Sequence, residues 1–179
     1  GLGDVYKRQI NLPSSADAMI FEGTMTNCNT DGESWGGAIV NYPGSTGGML
    51  HVENVTIENA YVNLIDTDLQ HVTVSNVSAT ITSGSTQTGT VLTSDFGVAS
   101  EVKMFNFDAP DYSSASINAL GVINMTEVDF GSADMTIAPG GSSSTANGPS
   151  GDNAVMDDVT VGDMLVYRMQ PSVMTDVTA

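Results

Sequence analysis

A nine-position pattern of apolar and polar residues recurs six times along the chain. Counted from a central apolar position zero, positions −3, +2 and +5 are also apolar, and position +4 carries a short polar residue. The six centres are Gly23, Val55, Val72, Val102, Val128 and Val159. Of the eighteen residues at positions −3, zero and +2, all but Gly23 are apolar, whereas a chain that is 40% hydrophobic would place about seven there by chance. A repeat of this kind buries its apolar face by stacking on its neighbours.

Each repeat predicts short β-strands rather than a helix. Residues from position zero to +3 alternate between inward apolar and outward polar side chains, which is the two-residue period of a strand. Gly, Ser, Thr and Asn interrupt every candidate helix. The centres are 32, 17, 30, 26 and 31 residues apart, so the length beyond two or three strands would form loops. The 17-residue step from Val55 to Val72 is the weakest point of this register. Either one tight turn joins these two repeats, or one of the two centres is assigned wrongly.

Two polar positions of the repeat predict vertical files of side chains. Position +4 would be a hydrogen-bonded file in which each amide bonds its own turn and the amide stacked on it, and so fixes the register. Its residues are Asn27, Asn59, Asn76, Asn106, Ser132 and Asp163. Position −1 points outward, and its residues are Glu22, Asn54, His71, Glu101, Glu127 and Asp158.

The ends and the charge of the chain restrict its setting. Residues 1–9 resemble the in-frame translation of a transposon-end sequencing adapter, so we set them aside as a non-native segment. Residues 10–179 are then expected to be one domain truncated at both ends. The formal charge of −17 becomes 2 − 20 = −18 without that segment, which disfavours nucleic acid and anionic membranes as partners. The single cysteine, Cys28, excludes an internal disulfide, and no apolar run is long enough to span a membrane.

Two stretches resemble known repeat proteins. Val52-Glu53-Asn54-Val55-Thr56-Ile57-Glu58-Asn59-Ala60 is similar to the coil strand and asparagine turn of the pectate-lyase-like superfamily, and this pattern recurs over residues 20–164. Residues 21–29, followed by Gly36-Gly37-Ala38-Ile39, resemble one repeat of the polymorphic outer-membrane adhesins. The resemblance implies an all-β fold, namely a right-handed parallel β-helix (a solenoid) of about six coils. It also implies an extracellular or cell-surface location.

A row of carboxylates is the one candidate for chemistry. Parallel strands place equivalent residues about 4.8 Å apart, so Glu101, Glu127 and Asp158 would form a vertical row with Asp129 and Lys103 beside it. Like charges this close raise a pKa or recruit a cation. Three interpretations remain open. The row is a solvated face of an acidic protein, a Ca²⁺ site formed by Glu127, Asp129 and Asp158, or a sugar-cleaving pair among the catalytic candidates Glu101, Glu127 and Asp158.

The sequence as a whole favours binding over catalysis. Pectate-lyase-like chemistry implies an arginine near the cation, and outside residues 1–9 only Arg168 is available. We therefore expect a non-catalytic module that binds a polysaccharide, a cell-surface glycan or another surface partner, or serves as an elongated stalk. The alternative is a segment of a polysaccharide lyase or glycoside hydrolase that acts on its outer, carboxylate-lined face. No cofactor other than the candidate Ca²⁺ is predicted.

The Ca²⁺ interpretation predicts a shift in thermal unfolding. A cation that binds only the folded chain raises its melting temperature by mass action. Added Ca²⁺ should therefore raise the melting temperature of the unaltered chain and leave that of an Asp158→Asn variant unchanged, as measured by differential scanning fluorimetry. Equal shifts in both proteins, or no shift in either, would eliminate this site.

Overall fold

The computed structural model describes a chain built of short and long β-strands. It describes residues 10–12, 17–26, 37–41, 47–60, 63–66, 69–81, 90–93, 99–112, 114–117, 119–137, 154–166 and 172–179. The strands are β1 (Ile10–Leu12), β2 (Asp17–Thr26), β3 (Gly37–Asn41), β4 (Met49–Glu58), β5 (Asn63–Asp66), β6 (His71–Thr80), β7 (Thr90–Thr93), β8 (Ala99–Asp108), β9 (Ser114–Ile117), β10 (Ala119–Asp129), β11 (Asp134–Ile137), β12 (Ala154–Thr160), β13 (Met164–Val166) and β14 (Ser172–Thr178). No helix that is long and apolar enough to cross a membrane occurs among these residues.

The strands alternate between two parallel sheets. The odd-numbered strands form a seven-stranded sheet in the order β1-β3-β5-β7-β9-β11-β13, which we call the short sheet. The even-numbered strands form a second seven-stranded sheet, which we call the kinked sheet, in the order β14-β12-β10-β8-β6-β4-β2. Each strand pairs with the next strand of its own sheet, and every pairing is parallel. The chain is therefore all-β, and its sequential parallel contacts are consistent with a solenoid.

A continuous apolar core lies between the two sheets. Alternating residues of the kinked strands are buried, as the apolar periodicity predicts: Leu50, Val52, Val55 and Ile57 of β4 are at most 2% exposed. The short sheet also contributes buried residues, such as Leu64 and Ile65 of β5 and Met135 and Ile137 of β11. Tyr112 lies inside this core, and its hydroxyl donates a hydrogen bond to the carbonyl of Ala60 at 2.9 Å. This bond satisfies the phenol in a place where an unpaired hydroxyl would be costly.

Every strand of the kinked sheet bends at one aligned residue, which we call the bend position. These residues have left-handed backbone angles, with φ between 47° and 56°, and the strand pairing skips them. They are Glu22, Asn54, Asn76, Asn106, Glu127, Asp158 and Asp176. Non-glycine residues rarely adopt this conformation, and asparagine and aspartate tolerate it best. The bend divides each strand into two halves, and the inward periodicity restarts in the second half.

The predicted register is wrong in two of the six repeats. The residues that pair with Val55 along the sheet are Val77 and then Phe107, so these two residues are the centres of their strands. Val72 instead pairs with Leu50, five residues before the centre, and Val102 with Ile123. Both halves of a strand alternate apolar and polar residues. Val72 in the first half of β6 therefore has the same local pattern as the true centre, Val77. Strand β14 lies outside the six-repeat pattern and extends the kinked sheet beyond Val159.

The turn that follows β10 contains a glycine, Gly131, that other residues cannot easily replace. Gly131 has φ of 57°, and a Cβ added there would lie 2.6 Å from the carbonyl oxygen of Pro110. Its amide donates a 2.6 Å hydrogen bond to Oδ1 of Asp129. Gly23 is different, because it lies in the edge strand β2 and an added Cβ would have no atom within 4 Å.

These two glycines provide a matched pair of substitutions. We expect Gly131→Ala to lower the free energy of unfolding by roughly 1–3 kcal/mol, because it adds left-handed strain and a backbone clash. Gly23→Ala should be neutral or stabilising by up to about 1 kcal/mol, since alanine costs less than glycine in a strand. Urea unfolding of both variants measures the difference. Equal losses would contradict the register described above.

Candidate functional site

Along the file of bend positions, Asn54, Asn76 and Asn106 form a ladder of hydrogen-bonded side-chain amides. Nδ2 of Asn76 donates to Oδ1 of Asn54 at 3.0 Å, and Nδ2 of Asn106 donates to Oδ1 of Asn76 at 2.9 Å. Parallel pairing in register places one such amide on each of the neighbouring strands β4, β6 and β8. Stacking of Asn76 on Asn106, predicted from the sequence, is confirmed. The ladder lies on the exposed outer side of the bend rather than in a buried turn.

The remaining residues of the predicted +4 file occupy other places. Asn59 has a left-handed backbone, with φ of 58°, and its backbone N–H donates to the carbonyl of Thr80 at 2.8 Å. Ser132 and Asp163 lie in turns, where the Asp163 amide donates to Oδ1 of Asp134 at 3.3 Å. Asn27 lies outside the described residues. The prediction of one +4 ladder was therefore wrong, because the misplaced centres moved Asn76 and Asn106 into that column.

Beyond Asn106, in the direction of β14, the residues at the bend position are carboxylates. Glu127 follows Asn106 at the bend position, and Asp158 follows Glu127, because their flanking residues pair in register. Asp176 of β14 extends the file by one more strand. All three side chains are exposed. The prediction that Glu127 and Asp158 stack on adjacent strands is therefore confirmed.

Glu101 does not belong to this file. It lies in the first half of β8 and pairs with Val122, so it is not aligned with Glu127. Its carboxylate contacts Nζ of Lys103 at 2.7 Å, and Nδ1 of His71 at 3.8 Å. The predicted three-carboxylate row was wrong at this residue for the same reason as the register. The catalytic roles of Glu101, Glu127 and Asp158 stay predictions.

The candidate Ca²⁺ ligands occupy two neighbouring files. Glu127 and Asp158 are at the bend position, whereas Asp129 lies two residues after Glu127 and uses Oδ1 to accept a hydrogen bond from Gly131. Within the described ranges, His, Cys, Asp and Glu side chains form no group of three or more that could bind a metal ion. The Ca²⁺ site therefore stays a prediction.

A pair of stacked aspartates, which the sequence reasoning missed, lies on the first outward position after the bend. Asp108 of β8 pairs directly with Asp129 of β10, and Ser78 pairs with Asp108 on the other side. Asp108 is exposed, but partial desolvation of its carboxyl by the neighbouring strands, followed by the nearby carboxylates of Asp129 and Asp111, raises its pKa above the ordinary value of 3.8. The signal was present in the sequence, since Asn106-Phe107-Asp108 and Glu127-Val128-Asp129 are equivalent triplets once Phe107 is taken as a centre.

Asn76 and Asn106 of the ladder, together with Asp108, line a shallow groove, which we call the amide groove. Its volume is about 260 Å³. Its lining residues are Val55, Thr56, Asn76, Val77, Ser78, Asn106 and Asp108. The groove thus combines two amides, two hydroxyls and one carboxylate on three consecutive strands. These groups donate and accept hydrogen bonds, as a polyhydroxylated ligand requires.

The outer face of the first strand halves has a different chemistry. Nε2 of His51 is buried and lies 3.4 Å from Oε2 of Glu53, but the two atoms do not form a well-aligned hydrogen bond. The centroid of the His51 ring is 5.4 Å from that of the Phe21 ring. Both histidines therefore lie beside carboxylates, because His71 is near Glu101 as described above. Phe21 and Met19 are half-exposed or more at the β2 edge. This face and the amide groove lie on opposite sides of the bend.

Several residues singled out in the sequence lie outside the described part of the chain. They are residues 1–9, Cys28, the adhesin-like residues 27–29 with Gly36, and Arg168. Comparisons of the chain with protein-family models, curated proteins and solved structures gave no match. The geometry of the described residues therefore carries the functional proposal.

The raised pKa of Asp108 predicts the pH dependence of an Asp108→Asn variant. A carboxyl group whose pKa is raised by folding destabilises the fold once it ionises, so its favourable contribution is present below about pH 3.8 and is lost as the pH rises through the raised pKa. The asparagine variant should therefore match the unaltered chain at about pH 3 and exceed its melting temperature at about pH 7.

The control for this prediction is Asp17→Asn on strand β2, which removes the same formal charge away from the aspartate pair. Its melting temperature should change less between the two pH values than that of Asp108→Asn. An equal gain in both variants would mean that the net charge of the chain, rather than the stacked pair, is responsible.

Proposed function

We propose that the chain is a non-catalytic module, extracellular or attached to a cell surface, that binds a glycan along the outer side of the kinked sheet. We further infer that its two parallel sheets are parts of a right-handed parallel β-helix of the pectate-lyase-like type. The single observation that carries the proposal is the in-register file of polar residues at and after the bend. Its strongly acidic surface favours solubility in a cation-rich environment and disfavours nucleic acid.

The geometry of the file suits a ligand with repeating units. Equivalent side chains recur on successive parallel strands about 4.8 Å apart, and the ladder hydrogen bonds fix the orientation of the Asn76 and Asn106 amides. Groups that are already oriented lose little conformational entropy when a ligand binds. A glycan presents hydroxyl groups at regular intervals, so it can bond several strands at once. Such contacts favour binding and require no reaction of the glycan.

One observation favours glycoside hydrolysis as a second candidate function. Asp108 and Asp129 are paired on adjacent strands, which places their backbones about 4.8 Å apart, while the two carboxyl groups of retaining glycosidases lie about 5–5.5 Å apart. The raised pKa of Asp108 suits a proton donor. Against this role, Oδ1 of Asp129 already accepts the 2.6 Å hydrogen bond from Gly131. A nucleophile engaged in this way is less available to attack a sugar.

The proposal is tested by measuring binding and turnover on the same glycans. We expect the chain to bind at least one class on an array of neutral, amino and acidic oligosaccharides, and to release no new reducing ends or unsaturated products over a day. Turnover that is abolished by Asp129→Asn but not by Asp157→Asn would replace the binding module with a hydrolase at the aspartate pair. Turnover that is abolished by Glu127→Gln instead would restore the carboxylate site predicted from the sequence. Absence of binding to every glycan class would overturn the proposal.

A further inference from the structure

The amide groove contains hydrogen-bonding groups that the fold leaves partly unused. A primary amide has two N–H donors and two acceptor lone pairs. In the ladder, Asn76 uses one N–H toward Asn54 and one lone pair toward Asn106. A second N–H and a second lone pair therefore remain for a ligand. Because the ladder prevents the amide from flipping, the positions of its remaining donor and acceptor are fixed before binding.

The hydroxyls of the groove extend these groups along the neighbouring file. Thr56 and Ser78 are paired on adjacent strands, and Ser78 is paired with Asp108 on the next strand. The three side chains form a continuous outward row beside the ladder. A hydroxyl can donate and accept, and a carboxylate accepts. The row is therefore complementary to vicinal sugar hydroxyls, which also act in both ways.

The charges around the groove select against anionic sugars. Asp108 lies in the groove, Asp129 is paired with it, and Glu127 follows Asn106 at the bend. In the part of the chain that the structure describes, Lys103 is the only lysine or arginine. It lies on the other half of β8, where it is paired with Glu101 at 2.7 Å. No described cation is therefore available to balance a ligand carboxylate in the groove, and like charges repel.

We propose that the amide groove is a binding subsite for uncharged sugar residues and that it discriminates against uronic acids. The inference rests on the proposed glycan-binding function and adds the location and the chemical class of the ligand. It differs from the polyanionic substrates that a pectate-lyase-like enzyme would require. Asp108 has two roles in this site: it accepts hydrogen bonds from neutral sugars and it repels carboxylates.

The experiment uses the full chain and two probes of equal length, a neutral glucose hexamer and a galacturonate hexamer. Affinities are measured by isothermal titration calorimetry at about pH 7 and low ionic strength, where charge repulsion is least screened. The neutral probe should bind at least about fivefold more tightly than the acidic probe, which corresponds to one weakly screened charge repulsion.

Two pairs of variants locate the site. Ser78→Ala should weaken binding of the neutral probe about threefold to tenfold, the effect of one lost hydrogen bond. Its control is Ser75→Ala, which removes a hydroxyl from the other half of the same strand and should have no effect. Asp108→Asn should shift the ratio of the two affinities about fivefold toward the acidic probe, because it removes the charge that repels a ligand carboxylate. The Asp157→Asn control removes a charge outside the groove and should change neither probe. Circular dichroism confirms that each variant is folded.

The outcomes separate this inference from the function it rests on. Tight binding of the acidic probe, or equal effects of Ser78→Ala and Ser75→Ala, would overturn the subsite while the glycan-binding function stands. Absence of binding to both probes, together with a negative glycan array, would remove the function itself. Binding of the neutral probe that depends on Ser78 and not on Ser75 would support both.

Discussion

The left-handed backbone at one register position of seven parallel strands is the constraint on which the structure depends. Each strand must continue its pairing with its neighbours on both sides of a bend that leaves one residue unpaired. If one strand slipped by a residue, its left-handed residue would oppose an extended one, and its apolar side chains would turn outward. The bend therefore fixes the register that the core requires, and the core maintains the bend on all seven strands.

The residues at the bend position share one backbone conformation but differ in the chemistry of their side chains. Asn54, Asn76 and Asn106 satisfy the backbone preference and bond one another, so they stabilise the stack twice. Glu127, Asp158 and Asp176 take the same backbone conformation without an amide donor. The file thus changes from mutual hydrogen bonds to negative charge along the stack. A ligand bound at the middle of the file meets oriented amides, whereas one bound at the β14 end meets carboxylates.

The bend also separates two outer surfaces that differ in charge and polarity. The first strand halves carry the two histidines and Lys103, each near a glutamate. The second halves carry hydroxyls and the Asp108–Asp129 pair. Strand pairing repeats each surface along the stack, so a residue of one half pairs with residues of the same half on the neighbouring strands. This separation makes Ser75 and Ser78, three residues apart on one strand, suitable as control and test.

The sequence by itself determined the strands, the stacked apolar core and the contact of Asn76 with Asn106, because these follow from local periodicity. It also placed Glu127 beside Asp158, since their repeats were assigned correctly. It could not determine which half of β6 or β8 contained the centre, because Val72 and Val77 both lie in alternating apolar stretches. Only the pairing between strands, which buries Val77 against Val55 and Phe107, decides this. That decision moved Glu101 out of the carboxylate row and brought Asp108 onto Asp129, because a shift of five residues changes every neighbour in a parallel stack.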